Sequence, residues 1–581
     1  MTRLLPLSQA IALHVEPRLH LHFGSTPSRS NAAIRELARH FNGQQPELVF
    51  SATGFHSSAH TLALLGLGRR YIGCFFGDNY PVPRPNLLYQ RLAAKPGVIE
   101  QWSLLDYVLA LRAGALGHPY AVITSAGVSD LHADLKRAGR LFEVPDPGGG
   151  PHPLRLLTPI VPDITFVHAA VGTASGRALF CPPFGEGFAG ALAARRGVIV
   201  TVEKLVDERQ LDDFPELVPL PAANVLAIAE EPFGAHPQPL YVGARPGAGN
   251  GYADDFAGYE RWREMALKPE RFAEYRCRVL EAQDGQRAYL ELVGSARLAE
   301  LAEQERGAVA ARSEARARPL ASSVRSPLER APTEVSPADR LVLLAARTIA
   351  RRVVEGRHRA VLAGIGQSFS AARLAFLLLG RQADSVELLV ETGISGFDAR
   401  AAHPFLLSSA NMAGAKRLSS IEENLGAVAC GRHNRCLAVV GCAQADARGN
   451  LNSSFVAGKL LVGSGGAADL TVGAREVVVL CRSDRLVPRV EYVTSAGERV
   501  RALVTEDAVI ERAGVTEPWE LTCRALADRS ASELAGAFPF TVRAQDDAPA
   551  FEPTAFELAA LSELFTAPAA TTRVEPGRAH A

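Results

Sequence analysis

The chain has 581 residues, too many for a single hydrophobic core, so at least two domains are expected. Lysine plus arginine and aspartate plus glutamate both number 62, so the formal net charge is zero. This balance argues against a nucleic-acid-binding protein, which carries a basic excess to neutralise phosphates. The eight cysteines are scattered without a CxxC pair, which is typical of reduced thiols and predicts a cytoplasmic protein.

The predicted elements alternate along the chain. The opening MTRLLPLSQAIALH indicates an ordinary helix, because it has one arginine and too short an apolar run for a signal peptide. Short β-branched segments follow among Ala- and Leu-rich stretches: LHLHF, ELVFSA, RYIGCFF, DITFVHAA and VIVTVE, then RAVLAG, VELLVE, LAVVGC, REVVVLC and RALVTE. This pattern predicts two tandem α/β domains with mostly parallel sheets flanked by helices. No apolar run is long enough for a membrane span, so no membrane partner is expected.

Domain boundaries follow from a change in composition. In residues 303–335, EQERGAVAARSEARARPLASSVRSPLERAPTEV, aromatic residues vanish and the periodic apolar pattern is lost. This segment predicts a linker between a domain at 1–302 and a domain at 336–567. The tail at 568–581 is predicted to be disordered.

A glycine motif in the first domain resembles a dinucleotide fingerprint. GEGFAG at 185–190 satisfies GxGxxG, and Glu203 follows Gly185 by eighteen positions. However, a fingerprint strand must run directly into the first glycine, and here two consecutive prolines intervene. A glycine-rich entry to a packed helix is therefore favoured over a nucleotide site.

Histidine pairs in the first domain do not form a recognisable metal site. His56 and His60 in HSSAH share a helix face, but Ser57 occupies the position of the glutamate that a zinc protease requires. His20 and His22 share a strand face without an evident third ligand. These histidines are predicted to be surface or core residues, and no metal is expected.

The second domain contains a better candidate site. In VELLVETGISGF, Glu391 stands where a strand ends and glycines turn the chain. One strand earlier, AVLAGIGQS places Gly364, Gly366 and Gln367 at a strand-to-helix turn, where backbone N–H groups can hold an oxyanion. Adjacent parallel strands end at the same edge of a sheet. Together with the glycine turn VGSGGAADL at 462–470, these features predict an acyl-transfer site.

The same residues carry a resemblance to the family I CoA-transferases, particularly the glutaconate CoA-transferase branch. In the second domain, GIGQSFSAARLA, LLVETGISG, GCAQADARGNLNSS, VGSGGAADL and FEPTAFELAALSEL resemble the family's β half. In the first, LHLHFGSTPSRSNAAIREL, LRAGALGHPYAVITSAGVSDL, PDITFVHAAVGTASGRALF and RRGVIVTVEKLVD resemble the α half. Ser368 and Thr392 depart from the family's turn and glutamate segment, and AAVGTASGRA lacks the α half's acid and Gly-Asn.

The resemblance implies a fold, a reaction and site residues. It implies α-like and β-like domains fused in one chain and assembled as a homodimer or larger oligomer. It implies transfer of CoA from an acyl-CoA to a carboxylic acid, with coenzyme A as cosubstrate and no permanently bound cofactor. Glu391 becomes the catalytic nucleophile, and Gly463, Gly465 and Gly466 lie beside the CoA.

Two alternatives stay open at this point. Relatives of this fold include acyl-CoA hydrolases, among them enzymes that open carbon–carbon rings, and Glu100 is the candidate acid for such a reaction. The departures at Ser368 and in the α half are also compatible with a degenerate acyl-CoA-binding protein.

Overall fold

The computed structural model describes residues 3–24, 26–123, 128–150, 152–245, 247–317, 335–545 and 547–566. The first half contains thirteen strands in this described part: β1 (His20–Phe23), β2 (Leu48–Ser51), β3 (Gly54–Phe55), β4 (Gly68–Gly73), β5 (Phe75–Phe76), β6 (Ile99–Gln101), β7 (Ala121–Ile123), β8 (Leu141–Val144), β9 (Leu154–Leu157), β10 (Ile164–Gly172), β11 (Ala178–Leu179), β12 (Gly197–Leu205) and β13 (Val225–Glu230). Its helices are α1 (Leu7–His14), α2 (Asn31–His40), α3 (His60–Leu64), α4 (Leu87–Ala93), α5 (Leu104–Ala115), α6 (Asp130–Arg137), α7 (Ala189–Leu192), α8 (Phe256–Leu267), α9 (Pro269–Tyr275), α10 (Gly285–Val293) and α11 (Ser295–Ala317).

The strands of the second half are β14 (Ala360–Ala363), β15 (Glu387–Leu389), β16 (Ile394–Ser395), β17 (Arg417–Leu418), β18 (Cys436–Gly441), β19 (Gln444–Ala445), β20 (Leu451–Asn452), β21 (Phe455–Val456), β22 (Lys459–Leu460), β23 (Glu476–Leu480), β24 (Val500–Val504), β25 (Ala508–Glu511), β26 (Trp519–Arg524) and β27 (Val542–Arg543). Its helices are α12 (Pro337–Glu355), α13 (Gln367–Leu379), α14 (Ser409–Gly414), α15 (Ala467–Gly473), α16 (Ala531–Gly536) and α17 (Ala555–Thr566), with a π-helical segment at Glu422–Ala429. Across both halves, short 3₁₀ turns lie at Thr26–Ser28, Ser57–Ala59, Glu208–Leu211, Pro215–Leu217, Ala222–Asn224, Gly380–Ser385 and Ser483–Arg485, and a π-helical turn lies at Arg276–Leu280.

Each half is built on one large sheet. In the first half the order β13-β12-β10-β1-β2-β4-β6 is parallel throughout, and β11 is added antiparallel to β10. All nine residues of the central strand β10 are buried, as expected for a parallel strand covered on both faces. The second sheet has the order β17-β16-β15-β14-β18-β23-β24-β25-β26-β27.

The second sheet is mixed. Its centre, β15-β14-β18-β23-β24, is parallel, whereas β16 and β17 on one side and β25 and β26 on the other are antiparallel. The carboxyl ends of the parallel strands therefore meet at one edge, as the sequence pattern predicts. The α/β class with mostly parallel central strands is confirmed.

The predicted linker differs from the structure over its first part. Residues 303–317 continue α11 rather than leaving it. Glu305 is buried there and accepts hydrogen bonds from the N–H groups of Val242 and Gly243. Ala, Arg and Glu make this segment low in sequence complexity, yet they are strong helix formers, and no proline interrupts them before Pro319. Residues 318–334 of the linker and the tail at 568–581 lie outside the described residues.

Within the described ranges, no helix is both long enough and apolar enough to cross a membrane.

Candidate active site

Glu391 occupies a tight turn between β15 and β16. The Val390 N–H donates to the Ile394 carbonyl at 2.8 Å, and the Gly393 N–H donates to the Val390 carbonyl at 3.1 Å. Gly393 has φ +110°, and an added Cβ would overlap the carbonyl of Ser419, so this position requires glycine. The glycine break predicted from VETGISG therefore exists, and it presents Glu391 at the edge where the parallel strands end.

The Glu391 carboxyl group packs against Gly466. Burial raises the pKa of Glu391 to about 7, and a hydrogen bond from the Gly466 backbone opposes that rise. A Cβ at Gly466 would overlap Oε2 of Glu391 and lie 3.2 Å from Leu425. Only glycine therefore lets the backbone approach this carboxylate closely, and the desolvated group titrates near neutral pH.

The predicted amide loop lies at the same edge. The register Leu362 to Leu389 between β14 and β15 brings the residues that follow these strands, including Gly364 and Glu391, side by side. Gly366, at φ +87°, precedes α13, so the Gln367 N–H at the start of the helix has no intrahelical acceptor, whereas the Phe369 N–H donates to the Gly366 carbonyl at 3.0 Å. A Cβ at Gly366 would lie 3.4 Å from Val82 of the first half, which therefore covers this loop.

One of the three predicted oxyanion amides is already committed. The Gly364 N–H donates to the Val439 carbonyl at 2.9 Å, because the pairing of β14 with β18 continues one residue beyond the strand. It is not available to an oxyanion, which corrects the sequence-based assignment of Gly364. Gly366 and Gln367 stay candidates.

The glycine turn predicted to lie beside the CoA joins the two halves. The Gly465 N–H donates to the Cys74 carbonyl at 3.2 Å, and the Leu104 N–H donates to the Gly465 carbonyl at 3.1 Å. Gly463, at φ +100°, packs so closely that a Cβ would lie 2.6 Å from the Cys74 carbonyl oxygen. At Gly465 a Cβ would meet nothing within 4 Å, so a ligand can approach the turn there.

A buried acid secures this junction. Asp469, in the first turn of α15, accepts hydrogen bonds from Ser103 Oγ at 2.6 Å and from the Leu105 N–H at 3.0 Å. Burial, and then the nearby Asp106, raise the pKa of Asp469 well above its usual range. The start of α5 is thereby fixed to the helix that follows Gly466, one turn from the Glu391 carboxylate. We call this set of contacts the α5–α15 clamp.

A second connection supports the turn of Glu391. The Phe184 N–H donates to the Ser419 carbonyl at 2.9 Å, and the Ser419 N–H donates to the Gly393 carbonyl at 2.7 Å. The Ile421 N–H donates to the Gly185 carbonyl at 2.7 Å. The GEGFAG segment thus lies against the residues that hold the Glu391 turn.

GEGFAG has no features of a nucleotide fingerprint in the structure. No described strand runs into Gly185, since β11 ends at Leu179. The Glu203 carboxylate lies 2.7 Å from His168 and accepts hydrogen bonds from the Phe233 and Gly234 N–H groups. Its oxygens are therefore engaged within the protein.

Glu100, the alternative acid, is held by basic partners of the first half. It forms ion pairs with Arg70 at 3.4 Å and Arg140 at 3.1 Å, and it accepts a hydrogen bond from the Trp102 indole at 3.0 Å. The next residue, Gln101, has its Oε1 3.0 Å from Ser454 Oγ of the second half. The sequence motifs do not single out Gln101 as a contact with the second half. Side chains alternate along a strand, so a strand that turns Glu100 to one face turns Gln101 to the opposite face.

The singled-out histidines are buried or half-buried. His60 lies 3.0 Å from both Tyr89 Oη and Asp78 Oδ1, and His22 Nδ1 lies 3.1 Å from Ser51 Oγ. Burial lowers the pKa of His22 to about 3, so this ring is neutral, 3.8 Å from Glu186. Among the described residues, no three His, Cys, Asp or Glu side chains are arranged to hold a metal.

An aromatic cluster crosses the two halves beside the loop that covers Gly366. Tyr80 stacks on Phe256 with ring centroids 4.6 Å apart and meets Phe405 edge-on at 5.3 Å. Phe256 also stacks on His403 at 4.9 Å. No sequence pattern indicates this cluster, because its members come from three distant parts of the chain.

Comparison with known proteins identifies the domain type. Residues 6–230 match the family model described as Coenzyme A transferase. One subunit of the 3-oxoadipate CoA-transferase from Pseudomonas knackmussii is 29% identical over 174 residues, which are 30% of this chain and 56% of that protein. The match thus spans about half the length of this curated relative.

Solved structures extend the similarity to the whole chain. The apoenzyme of an acyl-CoA transferase (YdiF) from Escherichia coli O157:H7 has a TM-score of 0.63 at 15% identity, with 95% of both chains covered. Its thioester complex with CoA has a TM-score of 0.63 at 14% identity, again with 95% of both chains covered. At these identities the likeness shows the fold. The family model supports the CoA-transferase resemblance inferred from the motifs over residues 6–230.

Proposed function

Since residues 6–230 match the Coenzyme A transferase family model and the chain shares the fold of an acyl-CoA transferase, we propose that the protein transfers CoA between carboxylic acids, with Glu391 as its nucleophile. The main support for the proposal is the position of the Glu391 carboxylate. It lies at the junction of the halves, packs against Gly466 and has its pKa raised to about 7 by burial. Such a group is ionised in part at neutral pH and more nucleophilic than an ordinary carboxylate.

The reaction proceeds through the enzyme's own carboxylate. A Glu391 oxygen attacks the thioester carbon, and CoA leaves as a thiolate, giving an acyl-glutamyl anhydride. The thiolate then attacks the glutamyl carbonyl, which releases the first acid as a carboxylate and leaves a glutamyl-CoA thioester. An acceptor carboxylate reverses both steps, so the kinetics are ping-pong. Coenzyme A is a cosubstrate, and no permanently bound cofactor is needed.

The surroundings of Glu391 suit this chemistry. The N–H groups of Gly366 and Gln367 begin a helix at the same sheet edge and supply candidate oxyanion donors, each worth on the order of 3 kcal/mol. Gly465 leaves open space for a ligand beside the carboxylate. Contacts from the first half at Val82 and Cys74 cover the site and help exclude water, which would hydrolyse the anhydride.

Transfer is favoured over hydrolysis by the state of Glu100. A general base must turn a carboxylate oxygen toward the substrate, whereas both oxygens of Glu100 are engaged by Arg70, Arg140 and the Trp102 indole. Glu100, the acidic residue that the hydrolase alternative requires, is therefore engaged in ion pairs. The carboxylate of Glu391 packs against the Gly466 backbone instead. A non-catalytic acyl-CoA-binding protein would have no need for a desolvated carboxylate at the junction.

A trapping experiment tests the proposal. Incubation with an acyl-CoA and no acceptor should leave CoA attached to Glu391, and borohydride should then inactivate the enzyme irreversibly while leaving the free enzyme active. Glu391→Gln should lose exchange by at least about a thousandfold, because an amide does not replace the anionic nucleophile. Mass spectrometry of the peptide containing residue 391 reads the adduct.

Glu387→Gln is the matched control. Glu387 begins β15, the strand that leads into the turn of Glu391, but its side chain is exposed, so neither exchange nor stability should change. Full exchange by Glu391→Gln, or an adduct at another residue, would contradict the proposal.

A further inference from the structure

A single buried amide joins the two ends of the turn that carries Glu391. Asn424 is fully buried, and its Nδ2 donates to the Val390 carbonyl at 2.9 Å and to the Ile394 carbonyl at 3.1 Å. These two carbonyls stand before and after Glu391 in the chain. The side chain of Asn424 therefore holds the turn closed from outside the two strands that it connects.

The orientation of this amide is fixed from its other side. Asn424 Oδ1 accepts hydrogen bonds from Arg417 Nη2 at 2.7 Å, from Ser419 Oγ at 3.1 Å and from Ser395 Oγ at 3.1 Å. A guanidinium group only donates, so the amide oxygen must face Arg417 and the amide nitrogen must face the turn. Both ends of the amide are satisfied, which makes the network rigid.

Asn424 lies in the π-helical segment Glu422–Ala429. Such segments are rare and are frequent at functional sites. The next residue, Leu425, is fully buried and lies 3.2 Å from the position of an added Cβ at Gly466, the same position that would overlap Oε2 of Glu391. Two consecutive residues of the segment therefore hold the backbone of the turn and lie beside its carboxyl group.

The first half holds the π-helical segment in place. A Cβ added at Gly426 would lie 3.0 Å from Leu105 of α5. Glu422, at the start of the segment, forms an ion pair with Arg112 of α5 at 2.7 Å. The segment is thus packed between α5 and the turn, so the place of Asn424 depends on the docking of the two halves.

We propose that Asn424 is a positioning residue for Glu391: by joining the two ends of the turn, it keeps the carboxylate packed against Gly466 and out of water. The inference rests on the proposed transfer reaction and adds to it the residue that orients its nucleophile. The amide nitrogen of Asn424 bonds to the backbone of the turn, so its effect on the reaction passes through Glu391.

The first test is the pH profile of glutamyl-CoA formation in Asn424→Ala. Without the amide the turn opens and water reaches the carboxylate, so the pKa of Glu391 should fall from about 7 toward its usual value of about 4.5. In single-turnover measurements the plateau rate should fall about a hundredfold. The wild-type rate should rise through about pH 7, whereas the variant's rate should be flat from about pH 6 to 8.

Two other titratable groups interact with the Glu391 carboxylate, Asp469 and the Cys74 thiol. Neither belongs to the turn or to the π-helical segment, and both are retained in the variants. A shift of the midpoint therefore reports on Glu391.

Asn424→Asp is the second variant, for the case that Asn424→Ala does not fold. It keeps the shape of the side chain and the acceptor for Arg417, whose charge compensates the new carboxylate. It loses both donors to the turn, so the same fall in plateau rate and midpoint is expected.

Asn434→Ala is the matched control. Asn434 Nδ2 also joins two carbonyls, those of Gly431 at 2.8 Å and Gly473 at 2.9 Å, but it lies just before β18, at the edge of the sheet opposite Glu391. This variant should lower Tm, because two hydrogen bonds are lost, and leave the plateau rate and the midpoint near pH 7 unchanged.

A second readout needs no turnover. Because burial raises the pKa of Glu391, Glu391→Gln should gain stability relative to the wild type between about pH 5 and pH 8. In the Asn424→Ala background this gain should be lost, since Glu391 then titrates near its usual value in both the folded and unfolded states. Urea unfolding of the two single variants, the double variant and the wild type measures it.

The outcomes are distinct. A lowered Tm with the midpoint still near pH 7 in the Asn424 variants means that the amide only supports the fold, and overturns the proposal. An equal fall in plateau rate in Asn434→Ala means general destabilisation, and also overturns it. If the stability gain of Glu391→Gln is lost in the Asn424→Ala background but no CoA adduct forms at Glu391, the transfer reaction fails while the positioning role stands. If the adduct forms and the Asn424 variants keep the wild-type midpoint, the reverse holds.

Discussion

The protonation of Glu391 links the chemistry of the site to pH. Burial raises its pKa to about 7, and only the ionised form attacks a thioester. The rate of glutamyl-CoA formation should therefore rise tenfold per pH unit below about 7 and level off above it. Single-turnover measurements between about pH 5.5 and 8.5 check this. A rate that is flat across this range would show that Glu391 does not titrate in the free enzyme.

The same shift predicts the pH dependence of stability. The folded state binds the Glu391 proton more tightly than the unfolded chain, so the stability that this group contributes is present below about pH 4.5 and is lost as pH rises through about 7. The change is about 3 kcal/mol at most. Glu391→Gln should remove it, so the variant gains on the wild type as pH rises. Urea unfolding at about pH 5 and pH 8 measures the difference, and an opposite sign would contradict the burial of the carboxyl.

Alanine substitutions at Gly466 and Gly465 distinguish the effect of a steric contact with Glu391 from the effect of backbone strain. Gly466→Ala places a methyl group against Oε2 of Glu391, so it should reduce kcat by about a hundredfold through displacement of the nucleophile. Gly465→Ala has open space around its Cβ but φ +49°, so it should cost only about 1 kcal/mol of stability. Steady-state kinetics and thermal unfolding of both variants provide the test. Equal losses of kcat would mean that contact with Glu391 is not the cause.

At the scale of elements, the α5–α15 clamp connects the two halves through one side chain. Ser103 caps α5 by accepting the Asp106 N–H at 3.3 Å, and it also donates to Asp469. Ser103→Ala should therefore cost about 2–3 kcal/mol and lower kcat, because the glycine turn beside Glu391 loses its support.

Ser336 is the matched control for the clamp. It caps α12 by accepting the Asp339 N–H at 3.2 Å, and it also donates to the Asp339 carboxylate, so its side chain serves its own helix. Ser336→Ala should cost about 1 kcal/mol and leave kcat unchanged. Denaturant unfolding and exchange kinetics measure both variants, and a loss of kcat in Ser336→Ala would mean that the kinetic effect reflects general destabilisation.

The sequence predicts elements that depend on local patterns and misses contacts made across the halves. Continuous β-branched runs such as VIVTVE predict buried parallel strands, and the glycines after Glu391 predict its turn. The approach of Gly466 to Glu391 depends on docking between segments that are far apart in the sequence, which no local pattern encodes. Gly364 likewise fails as an oxyanion donor because the register between β14 and β18 pairs its N–H with the Val439 carbonyl. In 303–317, helix propensity outweighed the low-complexity composition.

The whole molecule is held together by contacts that do not need the chain to be continuous. One buried apolar cluster contains Trp102 and Leu105 of the first half and Ile421 and Leu425 of the second. At another point, Asp254 accepts the Ser409 N–H at 2.9 Å. Two halves that share a core in this way should associate as separate chains. Further assembly into a homodimer or larger oligomer is still a prediction.

Cutting the chain tests this at the scale of the molecule. A break at residue 325, outside the described residues, keeps α11 intact on the first half, so the co-expressed halves should form an active complex. A break after residue 302 divides α11 and detaches Glu305 from the first half, where it accepts the Val242 and Gly243 N–H groups. That complex should be less stable, because two buried backbone donors lose their acceptor. Co-purification, exchange activity and Tm of the two complexes measure the difference. If halves cut at residue 325 fail to associate, continuity of the chain is required. If the two complexes are equally stable, the part of α11 beyond residue 302 is dispensable, as expected of a linker.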